Sequence, residues 1–251
     1  MGRGSLPPLA LAYHAVGDVP LRDDPHGLFV RVEDLQRHIA KLREWGYRLV
    51  SFGELARLAA AGQAGGNVAL TFDDGFADNY ETLAPLLAHL DAPATVFVVS
   101  GWLGKPHRSA PWTRVVTADE LRALHGAGIE IGAHSVTHPD LSALTYDEAR
   151  SELEQSRRDL ERELGAPVEV AAYPYGRASA ETVRAARDAG FRAACAATAL
   201  GSWDTPHQLP RQDMTNRCTL VGLRLKRDDR YEPLMRLAPA RAARRLARAL
   251  R

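Results

Sequence analysis

Short apolar runs alternate along this chain with longer stretches in which apolar residues recur every three or four positions, a pattern that predicts strands and amphipathic helices in turn. The runs place strands at 9–13, 48–51, 68–72, 94–99, 129–133, 168–173 and 192–196, a barrel-sized set of seven. Between them, VEDLQRHIAKLREWG sets Leu35, Ile39, Leu42 and Trp45 on one face and stops at Gly46. DNYETLAPLLAHL repeats the period, with Asp78 placed to cap it. TADELRALHGAG and TYDEARSELEQSRRDLERELG open with Thr-x-x-Glu boxes, Thr117 with Glu120 and Thr145 with Glu148, and SAETVRAARDAG starts the same way from Ser179.

A strand followed by a helix of ten or more residues, repeated, is the signature of parallel strands joined by right-handed crossovers. No Gly-x-Gly-x-x-Gly follows the first strand, which removes the best support for an open dinucleotide-binding sheet. The expected fold is α/β, a distorted (β/α) barrel with about seven parallel strands, and 251 residues suffice for one such barrel. The barrel domain is expected over 1–232. The remaining 233–251, rich in arginine and alanine, reads as a basic amphipathic helix packed on the barrel or extending from it.

Composition changes this picture little. With 45% hydrophobic and 25% charged residues the chain is of ordinary globular type, and no stretch reads as a membrane span. A net charge of +1 provides no field that would gather nucleic acid, so partners have to be inferred from sites, and the oligomeric state stays open. Cys195 and Cys218 lack metal-ligand spacing and read as two free buried thiols. MGRGSLPPLALAYHAV has one arginine and an apolar run broken by Pro-Pro that passes straight into a strand, so no cleavable leader is expected. That makes the expected compartment the cytoplasm, with an exported form of a longer chain as the alternative.

In a (β/α) barrel the loops after the strands converge at one mouth, and catalytic groups gather there. Following each expected strand in turn gives His14, then Asp73 and Asp74, Trp102, His134 and His138, and finally Pro174 to Arg177. Two histidines four apart in AHSVTHPDL would face one point if the segment made a helical turn before Pro139, and two imidazoles with Asp74 form a ligand set that leaves positions open on a divalent ion. The same set serves non-haem iron oxygenases. What favours hydrolysis is Asp73, a second carboxylate beside the ligand that can act as general base toward water. A cation would also relieve the repulsion between neighbouring aspartates. His89, His107, His125 and His207 read as ordinary surface or core histidines.

TFDDG at 71–75, HSVTHPDL at 134–141 and AYPYG at 172–176 resemble, in order and spacing, three motifs of the polysaccharide deacetylases, family four of the carbohydrate esterases. Further similarity runs through LAYHAV, WGYRLVSF, DNYETLAPLL, ATVFVVSGWL and LPR at 209–211, so the likeness extends from about residue 9 to 211. The resemblance implies that Asp73 is the catalytic base, that Asp74, His134 and His138 bind the metal, most often zinc, and that Tyr175 offers its backbone N–H to the oxyanion. Many members place an arginine ahead of Pro-Tyr-Gly to orient the base; here Ala172 stands there, with Arg177 and Arg211 as candidate substitutes. Many also supply the general acid from a C-terminal Leu-x-His, yet no histidine follows His207. In a subgroup resembling the poly-N-acetylglucosamine deacetylases the acid histidine sits on the first strand, and His14 matches it.

The function implied is metal-dependent hydrolysis of an N-acetyl group on an amino sugar or N-acetylglucosamine-containing glycan, with a carbohydrate substrate as partner. The alternatives are a deacylase of non-sugar N-acyl substrates, an iron oxygenase, and a non-catalytic glycan-binding relative.

Overall fold

The structure, a computed structural model, describes residues 6–20, 22–197 and 202–236. Its main sheet is built from parallel strands β1 (Leu9–Tyr13), β2 (Arg48–Val50), β3 (Asn67–Phe72), β4 (Thr95–Val98), β5 (Glu130–Ala133), β6 (Val170–Ala172), β7 (Ala193–Ala196), β8 (Leu209–Pro210) and β9 (Gln212–Asp213). The hydrogen-bonded order is β8-β7-β6-β5-β4-β3-β1-β9, with β2 paired to the first half of β3. The two ends of that path, β8 and β9, are one residue apart in the chain, so the sheet comes round into a barrel whose seam is Arg211. The expected seven strands are all present; the segment that completes the ring, 209–213, was not among them.

The helices are α1 (Val32–Glu44), α2 (Phe52–Ala60), α3 (Ala84–His89), α4 (Ala118–Gly126), α5 (Tyr146–Leu164), α6 (Ala180–Asp188), α7 (Leu220–Arg227) and α8 (Tyr231–Arg236); α1 and α3 to α6 fall on the predicted segments, whereas the pattern does not predict α2 and α7. The capping boxes at Thr117 and Thr145 form as expected, and Ser179 closes one with Thr182. Asp78 does not cap its helix. Its Oδ2 accepts the Val16 amide at 2.7 Å, and the chain enters α3 through a wider π-type turn, Asn79–Leu83. Pro233 lies in the first turn of α8, where its missing N–H costs nothing; most of the separate terminal unit expected over 233–251 lies outside the described residues.

Strand alternation divides the core in two. Leu11, Tyr13, Val68, Leu70, Val96, Val98 and Ala194 face the helices in the larger cluster. Ala10, Ala69, Phe97, Val170, Ala172, Ala193 and Cys195 fill the lumen, closed below by Phe52 and Leu55 of α2. Most lumen side chains are small, which leaves space for Phe97 and, above it, the Arg211 guanidinium 5.3 Å from the Phe97 ring centroid. Gly132 is needed in β5 for the same reason, because a Cβ there would stand 2.4 Å from the Phe97 ring. Cys195 is buried and Cys218 half-buried, and both are free. Among the described residues no helix is long and apolar enough to cross a membrane.

Candidate metal centre and catalytic pocket

A cavity of about 360 Å³ opens at the C-terminal ends of the strands, lined by His14, Asp73, Asp74, His134, His138 and Tyr175 among others. All six residues expected at the site thus meet in one pocket.

Asp73 extends β3, its amide donating to the Tyr13 carbonyl at 2.9 Å. By alternation Asp74 should point to the opposite face, but its φ of 71° turns it back, so that both carboxylates line the same cavity. Aspartate tolerates this left-handed geometry better than most residues, and Gly75 continues it at φ 74°.

The two histidines are brought together differently from expectation. No helical turn forms between them; Ser135 and His138 take left-handed φ values of 63° and 61°. The Ser135 hydroxyl accepts the His138 amide at 3.0 Å, while Glu152 of α5 accepts the Val136 and Thr137 amides, each at 2.9 Å, and the Thr137 hydroxyl. Gly101 permits this loop to pack, since a Cβ there would lie 2.4 Å from the Val136 carbonyl oxygen. The rings of His134 and His138 sit edge to face, centroids 4.9 Å apart.

Asp74, His134 and His138 each offer one ligand atom, all within 4.8 Å of one another. Their donor chemistry fits a divalent cation on three counts. Asp74 Oδ1 is buried without a hydrogen-bond partner, a costly state for a carboxylate oxygen. It faces His134 Nε2 at 3.5 Å and His138 Nε2 at 3.3 Å. His134 Nδ1 lies 2.8 Å from the Ala172 carbonyl, to which only an N–H can bond, so the Nε2 lone pair points at the centre. Burial, with His138 adjacent, pushes His134 down to about 4, so it is neutral and able to ligate at neutral pH.

Of the two arginines considered in place of one at Ala172, Arg211 is the one that reaches Asp73. It is almost fully buried and donates to both Asp73 oxygens, at 2.7 and 2.8 Å, and to the Thr71 hydroxyl at 2.9 Å. Burial alone would raise the Asp73 carboxyl; the guanidinium outweighs it and keeps Asp73 below the usual carboxylate range. Arg177, the other candidate, is exposed and pairs with Asp140 at 2.7 Å.

His14, between β1 and the short strand Ala15–Val16, lines the same pocket as these aspartates. Asp213 lines it too, its carboxyl raised by burial. Tyr175 adopts φ 58° within Pro174–Gly176; the residue is 62% exposed, with its ring edge-on to His138 at 4.8 Å. Gly176 is held at φ 65° with a would-be Cβ 2.1 Å from that of Ala197, so the turn carrying Tyr175 admits no other residue without rearrangement.

His107, read as an ordinary surface or core histidine, is a core residue, 1% exposed, and its Nε2 lies 3.1 Å from Asp74 Oδ2, a contact the sequence does not indicate. No spacing rule finds it, because it reaches the site from a hairpin (Pro106–His107 with Ala110–Arg114) inserted after β4. Glu152 escaped notice for a similar reason: on a helix face rich in charges it looks like solvated surface.

Residues 61–194, more than half of the chain, match the family model described as polysaccharide deacetylase, and the chain belongs to that family. It is similar to YxkH of Bacillus subtilis (strain 168), provisionally named a polysaccharide deacetylase, with 26% identity over 184 residues, 72% of this chain and 61% of that protein. It is also 32% identical over 100 residues to the poly-beta-1,6-N-acetyl-D-glucosamine N-deacetylase of Escherichia coli (strain K12), a match covering 39% of this chain and 15% of that one. The match therefore spans less than two thirds of the length of each of these relatives. Among solved structures, the Streptococcus pyogenes deacetylase PplD in complex with acetate superimposes with a TM-score of 0.75 at 23% identity, covering 89% of this chain and 99% of that one, which establishes the shared fold.

Proposed function

We propose that this protein is a zinc-dependent N-deacetylase that hydrolyses the acetamido group of an N-acetylglucosamine-containing glycan. The observation that carries the proposal is the unpartnered Asp74 Oδ1 facing the Nε2 atoms of His134 and His138 beside a second carboxylate, Asp73, clamped by Arg211. Support for the substrate class comes from family membership and from the similarity to a poly-N-acetylglucosamine deacetylase. The cavity of about 360 Å³ is at the small end for ligand pockets, suited to one sugar ring and its acetamido group rather than to an engulfed chain.

Asp74, His134 and His138 would hold the ion, with three ligands as in a catalytic rather than a structural zinc site. A divalent cation bound there supplies Lewis-acid polarisation and acidifies water toward neutrality. Asp73 accepts the proton from the attacking water at its carboxylate; Arg211 keeps that carboxylate ionised and aimed. The Tyr175 N–H donates to the oxygen on which negative charge develops, an interaction of a kind worth on the order of 3 kcal/mol in a transition state. His14, which lines the same pocket, is the residue that delivers a proton to the departing amine nitrogen.

The test is acetate release from β-1,6- and β-1,4-linked N-acetylglucosamine oligomers and from small acetamides, assayed anaerobically with chelated and zinc-restored protein. Zinc-restored acetate release from an oligomer, indifferent to oxygen, is expected. Release only from non-sugar amides, or activity that requires oxygen, would overturn the assignment.

A further inference from the structure

We propose that His107 is a positioning residue for the metal centre: its Nε2–H donates to Asp74 Oδ2 and holds Asp74 so that Oδ1 alone is presented to the ion. The inference rests on the divalent-metal centre proposed above and adds to it a residue outside the ligand set.

The geometry of His107 fixes its proton and its orientation. Nδ1 accepts the Ser109 backbone N–H at 3.2 Å, so the ring proton of the neutral imidazole sits on Nε2, 3.1 Å from Asp74 Oδ2. The ring stacks on Phe76 with centroids 3.9 Å apart at 25° and meets Trp102 edge-on at 5.4 Å and 89°. It therefore has no room to turn.

The backbone carries the same constraint. The hairpin that bears His107 is bound directly to the residues following Asp74: Val116 N–H donates to the Gly75 carbonyl and Ala77 N–H to the Arg114 carbonyl, each at 2.9 Å, and Phe76 bridges to Val115. Donor and acceptor thus belong to two segments laced together rather than to independent loops. With Oδ2 occupied, Oδ1 is the oxygen left facing both imidazoles. Groups that orient a metal's ligands in this way typically alter affinity by about 10–100-fold when removed.

The experiment titrates Zn²⁺ into chelated full-length protein in competition with a chromophoric chelator, for wild type, His107→Ala, His107→Gln and His107→Asn. Folding of each is checked by circular dichroism, and the visible spectrum of the Co²⁺-substituted protein is recorded in parallel. The Gln amide nitrogen reaches as far as the imidazole Nε2, whereas that of Asn stops near the Nδ1 position. Zinc binding is expected to weaken about 10–100-fold in the Ala and Asn variants and to return to within about threefold of wild type in Gln, with the Co²⁺ spectrum altered and restored in step. Should the Ala variant not fold, the Gln and Asn pair carries the comparison. Folded Ala and Asn variants that bind zinc like wild type, or a Gln variant as weak as Ala, would overturn the positioning role while leaving the metal centre intact. A wild-type protein that takes up no divalent ion would overturn the metal centre, and this role with it.

Discussion

Arg211 and Asp73, 138 residues apart in sequence, meet inside the barrel mouth in a two-point ion pair of 2.7 and 2.8 Å. Arg211 occupies the seam between β8 and β9, so the residue that completes the barrel also holds the Asp73 carboxylate. Both groups are buried, and removing one partner leaves an uncompensated charge. Arg211→Met is expected to destabilise the protein by roughly 3–5 kcal/mol in urea unfolding. Adding Asp73→Asn should recover much of that stability without recovering turnover. An Arg211→Met protein of wild-type stability would mean that the pair is not formed in solution.

The neighbouring aspartates are expected to separate cleanly by role. Asp73→Asn should bind zinc like wild type and lose about 10²–10⁴-fold in turnover, whereas Asp74→Asn should lose the metal itself. Metal analysis and acetate assays on the same preparations check this. Equal metal loss in both variants would make Asp73 a ligand rather than a base.

For His14 the expectation is retained metal with turnover reduced by about 10²–10⁴-fold in His14→Ala, because the amine then departs without a proton donor. Steady-state kinetics on the zinc-restored variant provides the measurement. Unchanged turnover would remove His14 from the mechanism.

Asp78 gives a prediction independent of the metal. Burial pushes its carboxyl up to about 7, against an unfolded value near 3.8, despite the Val16 amide on Oδ2; its Oδ1 has no partner. The folded state therefore binds this proton more tightly. Between about pH 4 and 7 the unfolded chain carries fewer protons than the folded one, so this group's contribution to stability falls as pH rises through that window and stays low above it. Asp78→Asn keeps an acceptor for Val16 and removes the titration. In chelator, its stability relative to wild type should rise by roughly 3 kcal/mol from pH 4 to pH 8. A constant difference across that range would contradict the shift.

What could be read from sequence follows from which residues are buried on both sides. β1, β3, β4 and β7 are covered by helices outside and filled by the lumen inside, so they appear as continuous apolar runs. The closing segment 209–213 is equally part of the barrel but reads Leu-Pro-Arg-Gln-Asp, because its inward arginine is satisfied by Asp73 rather than by apolar neighbours. Asp74, His134 and His138 were legible from residue type and strand-end position. Their joint approach depends on left-handed backbone at Asp74, Ser135 and His138, which no hydrophobic period encodes. The His107 contact with Asp74 was illegible because it comes from a hairpin folding back over the loop that carries Asp74, a long-range packing event without a local signature.

The central claim is that Asp74, His134 and His138 enclose one divalent ion and that this ion is required for amide hydrolysis. The most direct test is calorimetric titration of Zn²⁺ into chelated wild-type protein, with acetate release from an N-acetylglucosamine oligomer followed at each addition. The account predicts a single equivalent bound and acetate release that rises with occupancy and saturates with it. Absence of uptake at neutral pH, or acetate release that is the same before and after the ion is added, would contradict it.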